Sequence, residues 1–210
     1  MHDFQAWKKY PKHHNWFNKL WLSELLKYNC GPCGTSPDVA GNYIVRPIYN
    51  LSGMGVGSTI KYLTPDDCSQ VPPGYFWCEV FSGIQYSATY TFFHDTNPRW
   101  KPLKCWEGER SSDEIFRFER WKRSDHFPNV PRLLNDLSDV KLINVEFIGD
   151  KVIEVHLRDT PDPEYDEIIP IWEDSKKDID KYEEMGYTYQ NSYEDADGFL
   201  KIPRIGFMIK

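Results

Sequence analysis

Glu146, Glu154, His156 and Arg158 are the side chains whose types and spacing best support chemistry in this chain. They lie in the stretch L-I-N-V-E-F-I-G-D-K-V-I-E-V-H-L-R, residues 142–158, which reads as two short strands joined by a tight turn at Gly149 and Asp150. Residues two apart on a strand share a face. Asn144 and Glu146 alternate with Ile143, Val145 and Phe147, and Glu154, His156 and Arg158 alternate with Ile153, Val155 and Leu157. A two-residue Gly-Asp turn pairs Glu146 with Ile153 and mixes the two sets. A loop with an odd number of residues, Gly149 to Lys151 for example, pairs Glu146 with Glu154 and Asn144 with His156, and gathers the six apolar residues on the other face. A one-residue slip exchanges the faces, so the hydrophobic pattern selects the segregated register. Carboxylates directly opposite one another repel. A divalent cation offsets this most simply, because hard oxygen ligands suit Mg2+ and Mn2+. The competing reading is a solvated hairpin face whose carboxylates pair with Arg158 and Lys151, since polar faces on antiparallel strands are ordinary.

Upstream, Tyr43 to Asn50 reads as a strand that places Arg46 among apolar neighbours, and a buried cation needs an anionic partner. It runs into L-S-G-M-G-V-G-S, where Gly53, Gly55 and Gly57 permit positive φ and close backbone approach. Such a loop suits phosphates, although alone it equally describes a hairpin tip. It matches neither a Walker loop nor a Rossmann fingerprint. Thr59 to Leu63, with Lys61 inside it, returns as a strand.

The remaining elements frame these two. Residues 15–28 carry a helical period with Asn15 as N-cap. Cys30-Gly31-Pro32-Cys33 has the string of a thioredoxin redox motif, but it follows a helix instead of opening one, and no second pair supports a zinc site. Tyr75 to Phe81 and Ile84 to Phe93 read as aromatic strands, Asp95 to Arg110 as irregular, and Glu114 to Arg123 as a mixed-charge helix or partly extended segment. Pro131 to Leu137 reads as a short helix. Tyr165 to Trp172 is apolar, Asp174 to Met185 is a charged helix, Asn191 to Gly198 an acidic loop, and Phe199 to Lys210 a closing strand.

The 210 residues hold 40% hydrophobic and 27% charged residues, the balance of a soluble globular protein with a real core. Aromatic residues reach 16%, which fits a bulky core and filled pockets. A net charge of −7 opposes a general nucleic-acid or anionic-membrane binder. No apolar run approaches a membrane span, the N-terminus shows no h-region of a signal peptide, and five cysteines do not make a disulfide framework. The expected compartment is cytoplasmic.

Three blocks, in order, resemble the ATP-grasp superfamily. Ile44-Val45-Arg46-Pro47 with the Gly-rich loop resembles a phosphate-contacting strand and the flexible loop over the triphosphate. Glu79-Val80-Phe81-Ser82-Gly83-Ile84-Gln85-Tyr86-Ser87 resembles the interdomain hinge. Asn144 to Phe147 with Glu154 to Arg158 resembles the metal-binding block. The resemblance implies an α+β fold of two small subdomains, residues 1–78 and 79–210, whose antiparallel sheets hold a nucleotide between them. It implies ATP as cofactor, held by Arg46, Gly53, Gly55, Gly57, Lys61, Glu79, Val80, Phe81 and Gln85. It implies Mg2+ or Mn2+ on Glu146 and Glu154, with His156 as a further ligand, and Arg46 and Arg158 as the catalytic cations. The implied activity is an ATP-dependent ligase joining a small-molecule carboxylate to an amine or another nucleophile through an acyl phosphate, with a peptide or protein as a possible acceptor. Three departures stand out. Arg46 replaces the usual Lys, His156 the usual Asn, and Gln85 a common Glu. The N-terminal domain that often helps form the acceptor site is expected to be missing, and a small phage-encoded ATP-grasp-like protein is the nearest type. These departures keep two alternatives open: an inactive nucleotide-binding or sequestering protein on the same core, and an interaction protein with aromatic surfaces.

Overall fold

The computed structural model describes residues 1–51, 55–110, 115, 117–194, 198 and 200–210. The chain opens with α1 (Asp3–Lys9), a 3-10 run over Pro11–Phe17, and α2 (Lys19–Leu25). The single helix expected over 15–28 is therefore split. Asn18, not Asn15, is the cap of α2, its side-chain oxygen accepting from the Trp21 N–H at 2.9 Å. The α1 helix was not anticipated. A seven-residue helix is marginal by itself and is fixed here by packing, with Ala6 fully buried.

Four strands form the first sheet: β1 (Cys30–Pro32), β2 (Gly41–Pro47), β3 (Thr59–Leu63) and β4 (Tyr75–Glu79), in the order β1-β4-β2-β3. Tyr43, Val45, Leu63 and Trp77 make a small core on one face. The alternate residues Ile44, Arg46, Phe76 and Cys78 occupy the other. Cys30 lies in β1 opposite Cys78, with both thiols free, so the C-x-x-C string opens no helix.

The second sheet is antiparallel and eight-stranded. It contains β5 (Gln85–Phe93), β6 (Arg99–Arg110), β7 (Phe118–Arg123), β8 (Leu142–Ile148), β9 (Lys151–His156), β10 (Glu167–Trp172), β11 (Thr188–Glu194) and β12 (Arg204–Ile209), in the order β11-β12-β10-β7-β6-β5-β8-β9. Two expectations change here. Asp95 to Arg110, expected to be irregular, contains the 12-residue strand β6. Pro102 disguised it, and the register shifts there between Thr89 and Tyr90 of the partner strand, where a strand tolerates proline. Likewise β11 takes the start of the expected acidic loop; its residues are polar on both faces, as an edge strand permits. The α+β class with antiparallel sheets is as expected.

One face of this sheet is core. Ala88, Ile143, Val145, Phe147 and Val155 pack with Ala6, Trp16, Phe17 and Leu22 from the N-terminal helices and with Leu134 and Leu137 of the 3-10 turn Arg132–Leu137. The helices expected with the first sheet thus contribute to the core of the second. At the far end Ile169, Ile171 and Met208 pack with Ile179 and Tyr182 of α3 (Ile179–Glu184). Among the described residues no helix is long and apolar enough to cross a membrane.

The β8–β9 hairpin resolves its register in an unforeseen way. The turn does have two residues, with Ile148 opposite Lys151, yet Glu146 still faces Glu154 and Asn144 still faces His156. A β-bulge at Ile153 supplies the odd residue. Val152 then takes the place expected for Ile153, and Ile143, Val145, Phe147, Val152, Val155 and Leu157 are all at most 2% exposed. Burying each such side chain contributes about 1.5–3 kcal/mol, so a slip exposing all six would cost on the order of 10 kcal/mol. The bulge forfeits about one ladder hydrogen bond, near 1 kcal/mol. Burial decides the register.

Candidate functional site

The polar face of β5, β8 and β9 and the Arg46 face of β2 and β4 border one cavity of about 700 Å3. That volume suits a small molecule or cofactor.

At its centre is a buried charge network built on the hairpin. Asp3 of α1, 3% exposed, reaches into it. Arg158 donates to both Asp3 oxygens, from Nε and Nη2 at 2.8 Å each, in a bidentate fork, and its Nη1 donates to the Asp159 carbonyl at 3.0 Å. His156 Nδ1 lies 2.9 Å from the same carboxylate, and Nε2 lies 3.6 Å from Glu146 and 3.8 Å from Glu154. Lys19, at the start of α2, donates to Glu154 at 2.7 Å. Burial pushes the His156 pKa down, but Asp3 and Glu154 outweigh burial and Arg158 and raise it to about 10. Burial also pushes the Asp3 carboxyl up, yet His156 and Arg158 hold it well below the usual carboxylate range. Glu154 behaves the same way: burial raises its pKa, and Lys19 with His156 brings it below its ordinary value.

The repulsion between Glu146 and Glu154 is therefore offset by Lys19 and the His156 imidazolium. The partners expected for a solvated face do otherwise: Arg158 turns to Asp3, and Lys151 lies over the Tyr28 ring. Glu146 and Glu154, hard oxygen donors facing each other across the ladder, fit Mg2+ or Mn2+ as two of its ligands. His156, expected as a further ligand, has Nε2 facing both carboxylates and Nδ1 held by Asp3. Among the described residues no group of three or more His, Cys, Asp or Glu is arranged to hold a metal, so the other positions would fall to ligand oxygens and water. Arg158, expected as a catalytic cation, has its fork filled by Asp3.

The residues expected to hold the nucleotide are only partly gathered. Arg46, 7% exposed, donates from Nη1 to the carbonyl of bulged Ile153 at 3.2 Å and lies 5.1 Å over Phe76. Its Nε is buried without a hydrogen-bond partner, and it lines the cavity. Gly55 (φ +62), Glu79, Val80, Phe81 and Gln85 line it too. Glu79 accepts from the Asn29 N–H at 2.9 Å, and Phe81 packs edge-on against Tyr28. Gln85 donates to Glu146 at 3.2 Å and accepts from Arg110. A glutamate there would set a third carboxylate beside Glu146; the amide instead bridges a cation and an anion. Two expected residues lie elsewhere. Lys61 donates to the Gln70 carbonyl at 2.8 Å and does not line the cavity. Gly57 (φ +79) packs against β4, where a Cβ would meet the Tyr75 hydroxyl at 2.7 Å. Gly53 falls outside the described residues.

Sequence reasoning missed Asp3, Lys19 and Arg110. Asp3 left one trace, as the only carboxylate before Glu24. For Lys19 and Arg110 no local signal existed, because their positions follow from how α2 and β6 pack.

No protein-family model matches the sequence, and no curated protein is similar enough in sequence to count as a relative. Solved structures do match. N5-carboxyaminoimidazole synthetase from Staphylococcus aureus, determined alone and in complex with ADP, aligns over 92% of this chain and 66% of its own at 11% identity, TM-score 0.51. An L-amino acid ligase from Bacillus licheniformis aligns over 69% of this chain and 41% of its own at 13% identity, TM-score 0.48. A protein ascribed to the ATP-grasp superfamily, from Archaeoglobus fulgidus, aligns over 70% and 47% at 16% identity, TM-score 0.40. The chain thus spans less than two thirds of each of these proteins. With two antiparallel sheets bordering one cavity and this likeness over nine tenths of its length, the chain has an ATP-grasp-like fold.

Proposed function

We propose that the cavity binds ATP and that the protein is an ATP-dependent ligase joining a carboxylate to an amine. The observation that carries this is Arg46. A guanidinium with a buried Nε that has no partner, lining a cavity bordered by the residue 79–85 connection and the Glu146–Glu154 pair, calls for an anionic ligand. Arg46 would hold the phosphates by charge-assisted hydrogen bonds, with Lys19 beside them at the cavity wall. Glu146 and Glu154 are the residues that would hold a divalent cation, whose contribution when bound is to neutralise phosphate oxygens. In the reaction, a carboxylate oxygen attacks the terminal phosphorus and ADP leaves with the bridging oxygen. The amine then attacks the acyl carbon, loses its proton, and phosphate leaves. Such transfer needs placed positive charge and exclusion of water, not a protein nucleophile. Likeness in fold to a synthetase at TM-score 0.51 supports the same reading.

A second reading is nucleotide binding without chemistry. It is favoured by one observation: the Arg158 fork, the seat expected for a transferred group, already holds the chain's own Asp3 carboxylate. Calorimetric titration of ATP with and without Mg2+ or Mn2+, on the natural chain and on Arg46→Met and Glu154→Gln, tests both. The expected result is binding weakened at least about tenfold by Arg46→Met, the worth of one charge-assisted contact. ATP affinity unmoved by that change sinks the assignment of the phosphate seat. ADP release in a screen of carboxylates and amines separates the ligase from the passive binder.

A further inference from the structure

Cys30 and Cys78 are nucleophiles that ligase chemistry leaves unused. They stand directly opposite each other on β1 and β4, and both thiols are free. Two ladder bonds fix the phase of this pairing. The Glu79 N–H donates to the Asn29 carbonyl at 2.8 Å, and the Cys33 N–H donates to the Tyr75 carbonyl at 3.2 Å. Hydrogen-bonded and non-hydrogen-bonded pairs alternate along an antiparallel ladder, so Cys30 and Cys78 form a non-hydrogen-bonded pair, as do Pro32 and Phe76. In such a pair the Cα atoms lie about 4.5 Å apart and the side chains come closest, within the span that a disulfide bridges.

The C-G-P-C string sets its own two thiols on different faces. Residues two apart share a face, so Pro32 joins Cys30, while Gly31 and Cys33 lie on the Trp77 side. A Cβ on Gly31 would stand 2.8 Å from the Trp77 ring, so glycine lets β1 lie flat against it. Pro32 gives up no ladder bond, because a non-hydrogen-bonded residue of the edge strand β1 points its N–H away from β4. Cys30 thus faces Cys78 across the ladder and not Cys33 along the chain.

The two thiols differ in access and in surroundings. Cys30 is half-buried on an edge strand, whereas Cys78 is fully buried at the cavity wall. Cys78 pairs with Ile44, two residues before Arg46 on the same face of β2. The hydrogen bond between the thiols raises the Cys30 pKa and lowers that of Cys78; burial pushes both up, and the Arg46 guanidinium pulls Cys78 down further.

We infer that Cys30 and Cys78 are a redox-modification site, which a small disulfide oxidant closes into a cross-strand disulfide beside Arg46. The inference is independent of the ATP and ligase readings. Cys30, the reachable sulfur, gives its proton to solvent and attacks one sulfur of glutathione disulfide. That S–S bond breaks and one glutathione leaves as thiolate. Cys78 then attacks the Cys30 sulfur as a thiolate and expels the second glutathione. The protein gives up two protons and two electrons, and the glutathione disulfide takes them up as two thiols.

The test is to incubate the full, folded chain with excess glutathione disulfide, trap remaining thiols with N-ethylmaleimide in denaturant, and map the unreduced peptides by mass spectrometry. The expected result is loss of two of the five thiols, a Cys30–Cys78 linked peptide, and recovery of both thiols with dithiothreitol. Cys33→Ser, at an exposed position, should leave the link and its yield unchanged. Cys30→Ser and Cys78→Ala should each abolish it, and the map of the natural chain decides the matter even where Cys78→Ala does not fold. A Cys30–Cys33 or Cys33–Cys68 link as the main product overturns the inference. So does glutathione retained on Cys30 with Cys78 still free, a chain with all five thiols unmodified, or loss of the link in Cys33→Ser. Equal formation of the Cys30–Cys78 link in denaturing urea also overturns it, because the fold would then not select the pair.

Discussion

Replacing Asp3 by Asn removes the one negative charge that two buried cations share. The carboxylate takes three hydrogen bonds from His156 and Arg158 at 2.8–2.9 Å and is 3% exposed. Removing one partner of a buried ion pair costs about 3–5 kcal/mol, because the other charge stays buried without compensation. The amide keeps one acceptor oxygen but turns an NH2 toward donors, so the expected loss is about 3 kcal/mol. With an m-value near 2–3 kcal/mol/M in urea, the unfolding midpoint should fall by about 1–1.5 M. The pH dependence has a definite sign. Asp3 is held below its ordinary 3.8, so its contribution is present above that pH and is lost as pH falls through the folded-state value. His156 is raised from 6.5 to about 10, so its contribution is complete below 6.5 and is lost as pH rises through about 10. The gap between the natural chain and Asp3→Asn should be widest from about pH 4 to 6.5 and narrow toward pH 10, leaving the part due to Arg158. Urea unfolding followed by tryptophan fluorescence across pH 4–10 measures this, and NMR titration of the His156 ring checks its cause. A midpoint shift under about 0.3 M at pH 6, or a gap constant from pH 6 to pH 10, refutes the network as described.

Lys19→Met should destabilise by about 3 kcal/mol at neutral pH, because Glu154 loses the cation at 2.7 Å. Since the Glu154 pKa is depressed in the folded chain, that loss should shrink as pH falls through the carboxylate range, which unfolding at pH 7 and pH 4 would show. Phe147→Ala, at a fully buried hairpin position, should cost about 3–5 kcal/mol in urea unfolding. Gly108→Ala should cost about 1–3 kcal/mol and alter the near-ultraviolet circular dichroism, because its methyl would displace the Phe118 and Trp121 rings; an unchanged aromatic spectrum would contradict the ring placement.

What the sequence disclosed followed from local pattern. Alternation in 142–158 gave the hairpin and its segregated faces, and the strand Thr59–Leu63 was legible to the residue. It could not show how an odd residue enters a two-residue turn, because a bulge is chosen by burial on both strands at once. Strand β6 was hidden by Pro102, whose tolerance depends on a register shift against β5. Lys61 and Arg46 looked alike as cations within strands. They differ in parity: Arg46 shares the cavity face with Ile44, while Lys61 pairs with Tyr43, a residue of the small core. That comparison needed the strand pairing. Asp3 is 153 residues from His156 in sequence, and only tertiary packing joins them.

The charge balance explains how an acidic protein can offer an anion site. The chain carries −7 overall, which opposes broad binding to nucleic acid. Around the hairpin, however, Lys19, Arg46, Arg158 and the His156 imidazolium face Asp3, Glu146 and Glu154, so at that end of the cavity cations outnumber carboxylates. Asp3 does not cancel that excess evenly. It binds Arg158 and His156 on the α1 side and leaves Arg46, whose Nε has no partner, as the cation best able to take a new anion. The bulge contributes directly, because it is the freed Ile153 carbonyl that orients the Arg46 guanidinium. Register, burial and electrostatics therefore converge on one side chain. Deleting Ile153 would restore an unbulged ladder with the same six side chains buried, so it should leave hairpin stability within about 1 kcal/mol while removing the carbonyl that orients Arg46 and weakening nucleotide binding. If ATP titration of that deletion showed unchanged affinity while urea unfolding showed an intact fold, the link between the bulge and the phosphate seat would be broken.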